Sequence, residues 1–127
     1  MTILIVEDEE SLRAPIAKLL RRRGCVVFET ADGNTAIDLF RNRAGEIDVV
    51  LLDVTLPDVS GADLMVLMAL IRPDIKVILT SGHAREAVMG ALRGQRPAAY
   101  IRKPYTSSQL TDLLRATCCA KPRANSA

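Results

Sequence analysis

The amino-acid sequence predicts an α/β fold, a doubly wound five-stranded parallel sheet with helices on both faces. Two observations support this prediction. Short apolar runs alternate with segments of helical periodicity along the chain, a pattern typical of consecutive βα units. Apolar residues make up 49% of the 127 residues, which is enough for one packed core in a chain of single-domain length. We therefore expect one domain over residues 1–120 and a disordered tail over residues 121–127.

Ten elements are predicted, with strand and helix in strict alternation. Apolar runs of strand length cover residues 2–6, 25–29, 47–52, 75–80 and 98–102. Helical patterns cover residues 9–23, 34–43, 61–70, 84–93 and 106–118. The third strand is the most apolar, so it is expected at the centre of the sheet.

Local signals place the helix ends. Gly24 follows a basic last turn and is expected to end the first helix. After the Asp32-Gly33 turn, Asn34 is the predicted cap of the second helix. The fifth helix is expected to begin at one of three hydroxyl residues, Thr106, Ser107 or Ser108. Its buried face is predicted to hold Leu110, Leu113, Leu114 and Thr117.

The first helix contains one residue that conflicts with it. Pro15 lies beyond the first turn and lacks the N–H that would bond to Ser11, so the helix is expected either to begin later or to kink there. The basic run Arg21-Arg22-Arg23 is interpreted as a solvated last turn that complements the helix dipole. The alternative is a docking contact for an acidic partner.

Composition argues against several functional classes. The formal charge of +2 comes from 17 basic and 15 acidic residues, which is too balanced to indicate nucleic-acid binding. The three cysteines, Cys25, Cys118 and Cys119, form neither a disulfide framework nor a zinc pattern, and Cys25 is expected to pack as a small apolar residue in the second strand. The sequence shows no signal peptide and no apolar stretch of membrane-spanning length. A cytoplasmic protein that does not bind membranes is therefore expected.

Four polar clusters come at the ends of predicted strands. Glu7-Asp8 follows the first strand, Asp53 the third, Ser81 the fourth and Lys103 the fifth. The carboxyl ends of parallel strands meet at one edge of the sheet, where ligands bind. Three carboxylates, one hydroxyl and one ammonium group are therefore expected together, a set that suits a divalent metal and a phosphoryl group.

Asp53 is the candidate nucleophile of this set. It ends the most apolar strand, and a carboxylate can attack phosphorus to form an aspartyl-phosphate. Glu7 and Asp8 would repel Asp53 unless a cation lay between them. Magnesium fits this position because it favours oxygen ligands, and the main-chain carbonyl of Thr55 is a candidate further ligand.

Lys103 and Ser81 are the candidate phosphoryl-binding residues. Lys103 can neutralise a phosphoryl oxygen as a point charge, and Ser81 can donate its hydroxyl to another. Taken alone, Ser81-Gly82 would be interpreted as an ordinary turn at a strand end. His83 lies two residues beyond Ser81, as Thr55 does beyond Asp53, so both side chains are expected to overhang the crevice.

The order and spacing of these groups resemble the receiver domain of bacterial response regulators, from about residue 2 to residue 118. The matching stretches are Ile3-Leu4-Ile5-Val6-Glu7-Asp8-Glu9, Ala31-Asp32-Gly33, Asp53-Val54-Thr55-Leu56-Pro57, Gly61, Val77-Ile78-Leu79-Thr80-Ser81-Gly82 and Tyr100-Ile101-Arg102-Lys103-Pro104-Tyr105. The chain departs from the family at Ser60, where the family often has Asp, at Leu56, where it often has Met, and at Ser81, where it often has Thr. None of these departures removes a required chemical group.

The resemblance implies a flavodoxin-like strand order of 2-1-3-4-5 and a role for each site residue. Asp53 would accept phosphate from the phosphohistidine of a histidine kinase or a histidine phosphotransfer protein. Mg²⁺ would be held by three carboxylates and a carbonyl, those of Glu7, Asp8, Asp53 and Thr55. Ser81 and Lys103 would bind the phosphoryl oxygens. Tyr100 would turn inward as Ser81 moves toward the phosphate, and so change the surface of the fourth helix, fifth strand and fifth helix for a downstream protein.

Other interpretations remain open at this point. The chain could be a receiver module from a longer hybrid histidine kinase, although Met1 and the short tail favour a complete protein. It could be an adaptor that works without phosphorylation, but such a module is expected to have lost one of the key groups. A dehalogenase-type phosphatase is disfavoured because it needs an acid where Thr55 stands. The chain is therefore expected to catalyse only its own phosphorylation and dephosphorylation.

Overall fold

The computed structural model describes residues 1–92 and 94–119, apart from the side chain of Cys119. Strands and helices alternate through these residues. The strands are β1 (Thr2–Val6), β2 (Val26–Thr30), β3 (Val49–Asp53), β4 (Lys76–Ser81) and β5 (Ala99–Arg102). The helices are α1 (Glu10–Arg22), α2 (Gly33–Arg43), α3 (Gly61–Ile71), α4 (Arg85–Ala91) and α5 (Ser107–Cys119). The predicted tail, residues 121–127, lies outside the described residues.

The strands form one parallel sheet in the order β2-β1-β3-β4-β5, so the predicted fold class and strand order are confirmed. From β1 the chain moves outward to β2, and from β3 it moves outward in the other direction to β5. The order therefore reverses between β1 and β3, which is where an open α/β sheet forms a crevice at the carboxyl ends of its strands. Every residue of β3 is buried, as expected for a central strand.

Strands β3 and β4 end one residue later than predicted, at Asp53 and Ser81 rather than at residues 52 and 80. Asp53 and Ser81 were expected to follow their strands, but each is the last residue of its strand. Ladder bonds reach both strand ends: the N–H of Val54, which follows Asp53, donates to the Thr80 carbonyl at 3.1 Å, and the N–H of Lys103, which follows β5, donates to the Ser81 carbonyl at 2.7 Å. Both side chains therefore stand on paired backbone rather than on a free loop.

Helix α1 ends as its sequence predicts. Gly24 has a φ of 90°, and its N–H donates to the Arg21 carbonyl while that of Cys25 donates to the Leu20 carbonyl. These two bonds form a Schellman motif. They also place Cys25 before β2 rather than within it, which corrects its predicted position. The possible later start of α1 is wrong, because the helix begins at Glu10 and continues through Pro15.

Two further helix starts depend on side-chain caps. The predicted Asn34 cap of α2 is wrong, because Asp32 is the cap and accepts the N–H of Thr35 at 2.7 Å. Helix α5 begins with a reciprocal pair in which Thr106 Oγ1 accepts the N–H of Gln109 at 3.0 Å and Gln109 Oε1 accepts the N–H of Thr106 at 2.8 Å. This capping box confirms Thr106 among the three candidates.

The core forms two apolar layers, one on each face of the sheet. Alternate residues of β1 separate between them, with Leu4 and Val6 facing α2, α3 and α4, and Ile3 and Ile5 facing α1 and α5. This alternation follows from the period of two in a strand. Among the described residues, no helix is both long enough and apolar enough to cross a membrane.

We predict that Gly24→Ala destabilises the protein by about 1 kcal/mol, because a side chain disfavours the left-handed backbone of this residue. An added Cβ would meet nothing within 4 Å, so the cost would come from the backbone alone. Gly45 is also open and has no positive φ, so Gly45→Ala is the control and should change stability little. Urea unfolding of the three proteins measures the difference, and equal losses for both variants would contradict the backbone argument.

Candidate functional site

The register of the sheet brings the predicted polar residues to one edge. Asp53 pairs with Thr80 across β3 and β4, and Ser81 pairs with Arg102 across β4 and β5. Val6 pairs with Leu52, so the residues after β1 lie beside the end of β3. Glu7, Asp53, Ser81 and Lys103 therefore lie at the carboxyl ends of adjacent strands.

Asp53 is 2% exposed, and both of its carboxylate oxygens have partners. Oδ1 accepts two hydrogen bonds from Thr55, one from its N–H at 3.0 Å and one from its hydroxyl at 2.9 Å. Oδ2 lies 3.2 Å from the Nζ of Lys103. A buried carboxylate needs such partners to remain ionised. These contacts keep Asp53 charged and fix its orientation at the end of β3.

Lys103 lies between two buried carboxylates. Its Nζ is 2.7 Å from Glu7 Oε1 and 3.2 Å from Asp53 Oδ2. The other oxygen of Glu7 accepts the N–H of Glu9 at 3.2 Å. The ammonium group is therefore shared between the ends of β1 and β3, although Lys103 itself follows β5.

The three predicted acidic ligands form one cluster. Glu7, Asp8 and Asp53 each contribute one carboxylate oxygen, and these oxygens lie within 4.8 Å of one another. Glu7 and Asp53 are buried, whereas Asp8 is exposed, so the cluster opens to solvent on the Asp8 side. Three carboxylates and the Lys103 ammonium leave two net negative charges. Hard oxygen donors with that residual charge fit Mg²⁺.

The pKa values of the three inner groups reflect this crowding. Burial, together with the Asp53 charge, raises the pKa of Glu7 above its ordinary value despite the Lys103 bond. Burial alone would also raise the pKa of Asp53, but the Thr55 N–H, the Lys103 charge and the Thr55 hydroxyl lower it overall. Burial opposes the charge of Lys103, yet its bond to Glu7 and the nearby Asp53 raise its pKa. Of the two buried carboxylates, Asp53 is therefore the one whose ionised form is favoured.

Arg13 supports the acidic turn and was not found from the sequence. Its guanidinium donates to the Glu7 carbonyl at 2.8 Å and pairs with Glu29 at 3.3 Å. Arg21 also pairs with Glu29, at 2.8 Å, and donates to the Val27 carbonyl at 2.7 Å. One arginine of the basic run thus binds β2 of its own chain rather than only solvent. These contacts join α1 to β2, and the helical pattern of α1 in the sequence does not reveal them.

Tyr105 also lies near the acidic site, although the family resemblance gave no role to it. Burial, followed by the charges of Glu7 and Asp53, raises its pKa to about 12. The residue shares a small internal space with Glu7 and Thr80. Its phenol therefore stays neutral near the carboxylates at ordinary pH.

Ser81 and Tyr100 are joined through the peptide groups of His83. The hydroxyl of Ser81, 1% exposed, accepts the N–H of His83 at 2.9 Å. The hydroxyl of Tyr100 donates to the His83 carbonyl. Within the described part of the chain, no hydrogen bond joins Ser81 to Asp53. The predicted position of Ser81 at this edge of the sheet is therefore correct, but its hydroxyl is hydrogen-bonded to the turn that follows β4.

Thr55 and His83 line the same cleft, which has a volume of about 230 Å³. The cleft lies between the loop after Asp53 and α4, and its other walls include Val54, Ala87 and Leu92. Both residues thus line a cleft beside the loop that follows Asp53, while the predicted contact of the Thr55 carbonyl with a metal stays a prediction.

The strand order and the group of carboxylates, lysine and serine define the receiver class of signalling domain. The family model of the response regulator receiver domain matches residues 3–115. The sequence is 39% identical over 117 residues to the sensory transduction protein RegX3 of Mycobacterium tuberculosis, covering 91% of this chain and 49% of that protein. It is 35% identical over 109 residues to the sensor kinase CckA of Brucella abortus, covering 86% of this chain and 12% of that protein.

Solved structures agree with the sequence comparisons. A response regulator receiver domain protein from Clostridium thermocellum superposes with a TM-score of 0.84 at 27% identity, covering 97% of this chain and 98% of that chain. The receiver domain of the hybrid histidine kinase CckA superposes with a TM-score of 0.79 at 29% identity, covering 93% and 99%. The chain belongs to the response regulator receiver domain family of two-component systems. It spans half or less of the length of the curated relatives named above.

We predict that Glu7→Gln raises the melting temperature of the metal-free protein at pH 7. A raised pKa means that folding favours neutral Glu7, so the ionised carboxylate costs stability above its ordinary pKa of 4.5. The gain should shrink as the pH falls below that value, where both side chains are neutral. Glutamine can still accept the Lys103 bond.

Thermal melts of metal-free protein from pH 3 to pH 8 test this expectation. Glu46→Gln is the control because Glu46 is an exposed carboxylate that also pairs with a basic residue, and it should show no such pH-dependent gain. The same Glu7→Gln protein should bind Mg²⁺ more weakly than the parent. A lower melting temperature for Glu7→Gln at pH 7 would contradict the charge argument.

Proposed function

We propose that this chain is a phospho-acceptor switch in which Asp53 takes a phosphoryl group from a histidine kinase or a histidine phosphotransfer protein, in a Mg²⁺-dependent reaction. The observation that carries the proposal is the environment of Asp53, a buried and ionised carboxylate between Lys103 and the open side of the acidic cluster. Receiver domains as a family bind Mg²⁺ at an acidic pocket and interact with such phosphodonors. Cysteine usage and composition support a cytoplasmic location.

The transfer replaces one bond to phosphorus by another. A carboxylate oxygen of Asp53 forms a bond to phosphorus while the P–N bond of the donor's phosphohistidine breaks, and the electron pair of that bond returns to the imidazole nitrogen. Lys103 holds the attacking group in place and can neutralise a phosphoryl oxygen, because its Nζ already lies 3.2 Å from Asp53 Oδ2. Catalysis of this kind depends on positioning and electrostatics, which matches a site without a separate base.

Glu7, Asp8 and Asp53, together with the Thr55 carbonyl, are the residues that would hold Mg²⁺. When bound, the ion neutralises charge on the phosphoryl oxygens and on the carboxylates. Asp8 is the exposed member of the set and so lies on the side from which a solvated ion enters. The two excess negative charges of the metal-free cluster favour this entry.

The signal would leave the site through Ser81. To reach a phosphoryl oxygen on Asp53 and donate its proton to it, the Ser81 hydroxyl would move toward the end of β3, which would strain the bond that it now accepts from the His83 N–H. Since the His83 carbonyl also binds the Tyr100 hydroxyl, this movement loosens the tether of Tyr100. Tyr100 is half-buried beside α4 on β5. The surface of α4, β5 and α5 is therefore the proposed contact for a downstream protein target.

A second candidate is a receiver module that works within, or alongside, a hybrid histidine kinase. The similarity to CckA of Brucella abortus, a sensor kinase, and to a solved receiver domain of a hybrid histidine kinase named CckA favours it. In that case the phosphoryl group of Asp53 would pass to or from a histidine phosphotransfer protein. Rapid transfer in both directions with such a protein would support this role. An adaptor independent of phosphorylation is disfavoured because every required group is present.

We predict that Asp53 is the only phosphorylation site. Incubation with acetyl phosphate and Mg²⁺ should add one base-labile phosphate to the parent and none to Asp53→Asn, which lacks the charged nucleophile. Asp38→Asn is the control, because Asp38 is an exposed carboxylate that pairs with Arg41 on α2, and it should be phosphorylated like the parent. Intact-protein mass spectrometry measures the outcome, and phosphate on Asp53→Asn at the parent level would refute the assignment.

We predict that Ser81→Ala accepts phosphate but no longer transmits it to Tyr100. Moving a switch from about 1:99 to about 99:1 takes about 5.5 kcal/mol, and the Ser81 bond to a charged oxygen would supply roughly 1.5–3 kcal/mol of that. Amide chemical shifts around Tyr100 should therefore respond to a phosphate mimic in the parent and only weakly in the variant.

Ser60→Ala is the matched control for this switch. The Ser60 hydroxyl also accepts a backbone N–H bond, from Asp63 at 3.1 Å, but it lies at the start of α3. Its loss should leave the Tyr100 response intact. A full response in Ser81→Ala, or an equal loss in both variants, would argue against the path through His83.

A further inference from the structure

The acceptor loop, residues 54–60, is fixed at both of its ends. At its start, the N–H and hydroxyl of Thr55 bind Asp53 Oδ1. At its end, the first residue of α3 packs on the beginning of the loop, since a Cβ at Gly61 would lie 3.1 Å from the Cα of Val54. The loop therefore closes on itself and leaves its tip directed toward α2.

The tip of the loop is bound to a different element through Asp58. Its Oδ1 accepts the N–H of Gly33 at 2.9 Å, and its Oδ2 accepts the N–H of Asn34 at 2.9 Å. These are free backbone donors of the first turn of α2, where the helix dipole also favours negative charge. The two N–H bonds lower the pKa of the Asp58 carboxyl. Each oxygen of one side chain thus binds the start of a helix 24 or 25 residues away in sequence.

The Asp32-Gly33 stretch gains a physical explanation from this contact. A Cβ on residue 33 would lie 2.8 Å from Val59 and 3.3 Å from Asp58 Oδ1, so only glycine lets the loop reach the helix. Asp32 caps α2 from its own segment by accepting the N–H of Thr35. Two carboxylates from two segments therefore share the first turn of α2, and of these two only Asp58 belongs to the acceptor loop.

We propose that Asp58 is a positioning residue for phosphotransfer, which holds the acceptor loop on α2 so that Thr55 stays aligned with Asp53 and with the metal site. Asp58 contacts the backbone of α2, and its effect reaches the site through Leu56 and Pro57, the two residues that separate it from Thr55. The inference rests on the proposed function, because Thr55 matters only if Asp53 binds metal and accepts phosphate.

A competing explanation is that Asp58 only stabilises α2. Asp32→Ala separates the two explanations, since it removes a carboxylate from the same helix turn without touching the loop. Gly33→Ala is the complementary variant, because it keeps the Asp58 carboxylate and displaces the loop through Val59. It also gives an independent test if Asp58→Ala folds poorly.

The experiment measures Mg²⁺ binding and amide hydrogen exchange in the four proteins, parent included, with melting temperatures as the index of stability. Loss of a partner outside the ligand set weakens metal binding by about 10-fold or more. Asp58→Ala and Gly33→Ala are therefore expected to raise the Kd for Mg²⁺ about 10-fold and to expose the Thr55 amide to exchange in the metal-free state. Asp32→Ala should lower the melting temperature without either effect.

Two results would overturn the proposal. One is parent-like Mg²⁺ affinity and Thr55 protection in both Asp58→Ala and Gly33→Ala. The other is an equal weakening by Asp32→Ala, which would assign the whole effect to the stability of α2. Failure of the proposed function would give a different pattern, because the parent itself would then neither bind Mg²⁺ nor accept phosphate. The exchange of the Thr55 amide would still show whether Asp58 holds the loop.

Discussion

The ammonium group of Lys103 between the carboxylates of Glu7 and Asp53 is the interaction on which the site depends. Two buried carboxylates at the ends of neighbouring strands repel each other strongly, and one cation held at 2.7 and 3.2 Å from them offsets part of that repulsion. Asp8 adds a third negative charge at the solvent side. The cluster is therefore incompletely neutralised, and the remaining negative charge at the ends of β1 and β3 would favour a cation there, as the proposed phosphotransfer requires.

The parallel sheet makes this arrangement possible because it delivers groups that are distant in sequence to one edge. Lys103 follows β5, an edge strand, yet it reaches past the end of β4 to β1 and β3. Its backbone N–H donates to the Ser81 carbonyl, so the position of the cation is tied to the strand that carries Ser81, the residue proposed to bind a phosphoryl oxygen. The fold thus couples the charge balance at Asp53 to the segment that would respond to phosphate.

The fold class and the edge on which the site lies were accessible from the sequence, because both depend on local signals. Continuous apolar runs of strand length and helical patterns are local, and a strand end is where its apolar run stops. Contacts made across the fold were not accessible. The ends of β3 and β4 depend on ladder bonds made by Val54 and Lys103, and Arg13 supports Glu7 through Glu29 on another strand. The cap of α2 was assigned to Asn34, since nothing in its segment shows that Asp32 and Asp58 share that turn.

The two halves of the site are held by different numbers of hydrogen bonds, and in the proposed switch this difference would give the response its direction. On the acceptor side, the loop after Asp53 is fixed by Thr55, by Gly61 and by the paired bonds of Asp58. On the sensor side, Ser81 and Tyr100 are each joined to His83 by a single hydrogen bond. A phosphoryl group on Asp53 would lie beside a loop that several hydrogen bonds hold in place. On the other side it would lie near the Ser81 hydroxyl, which accepts a single neutral hydrogen bond from His83. Because hydrogen bonds to a charged oxygen are stronger than neutral ones, the proposed switch would change the Ser81 side, next to β5, rather than the side held on α2.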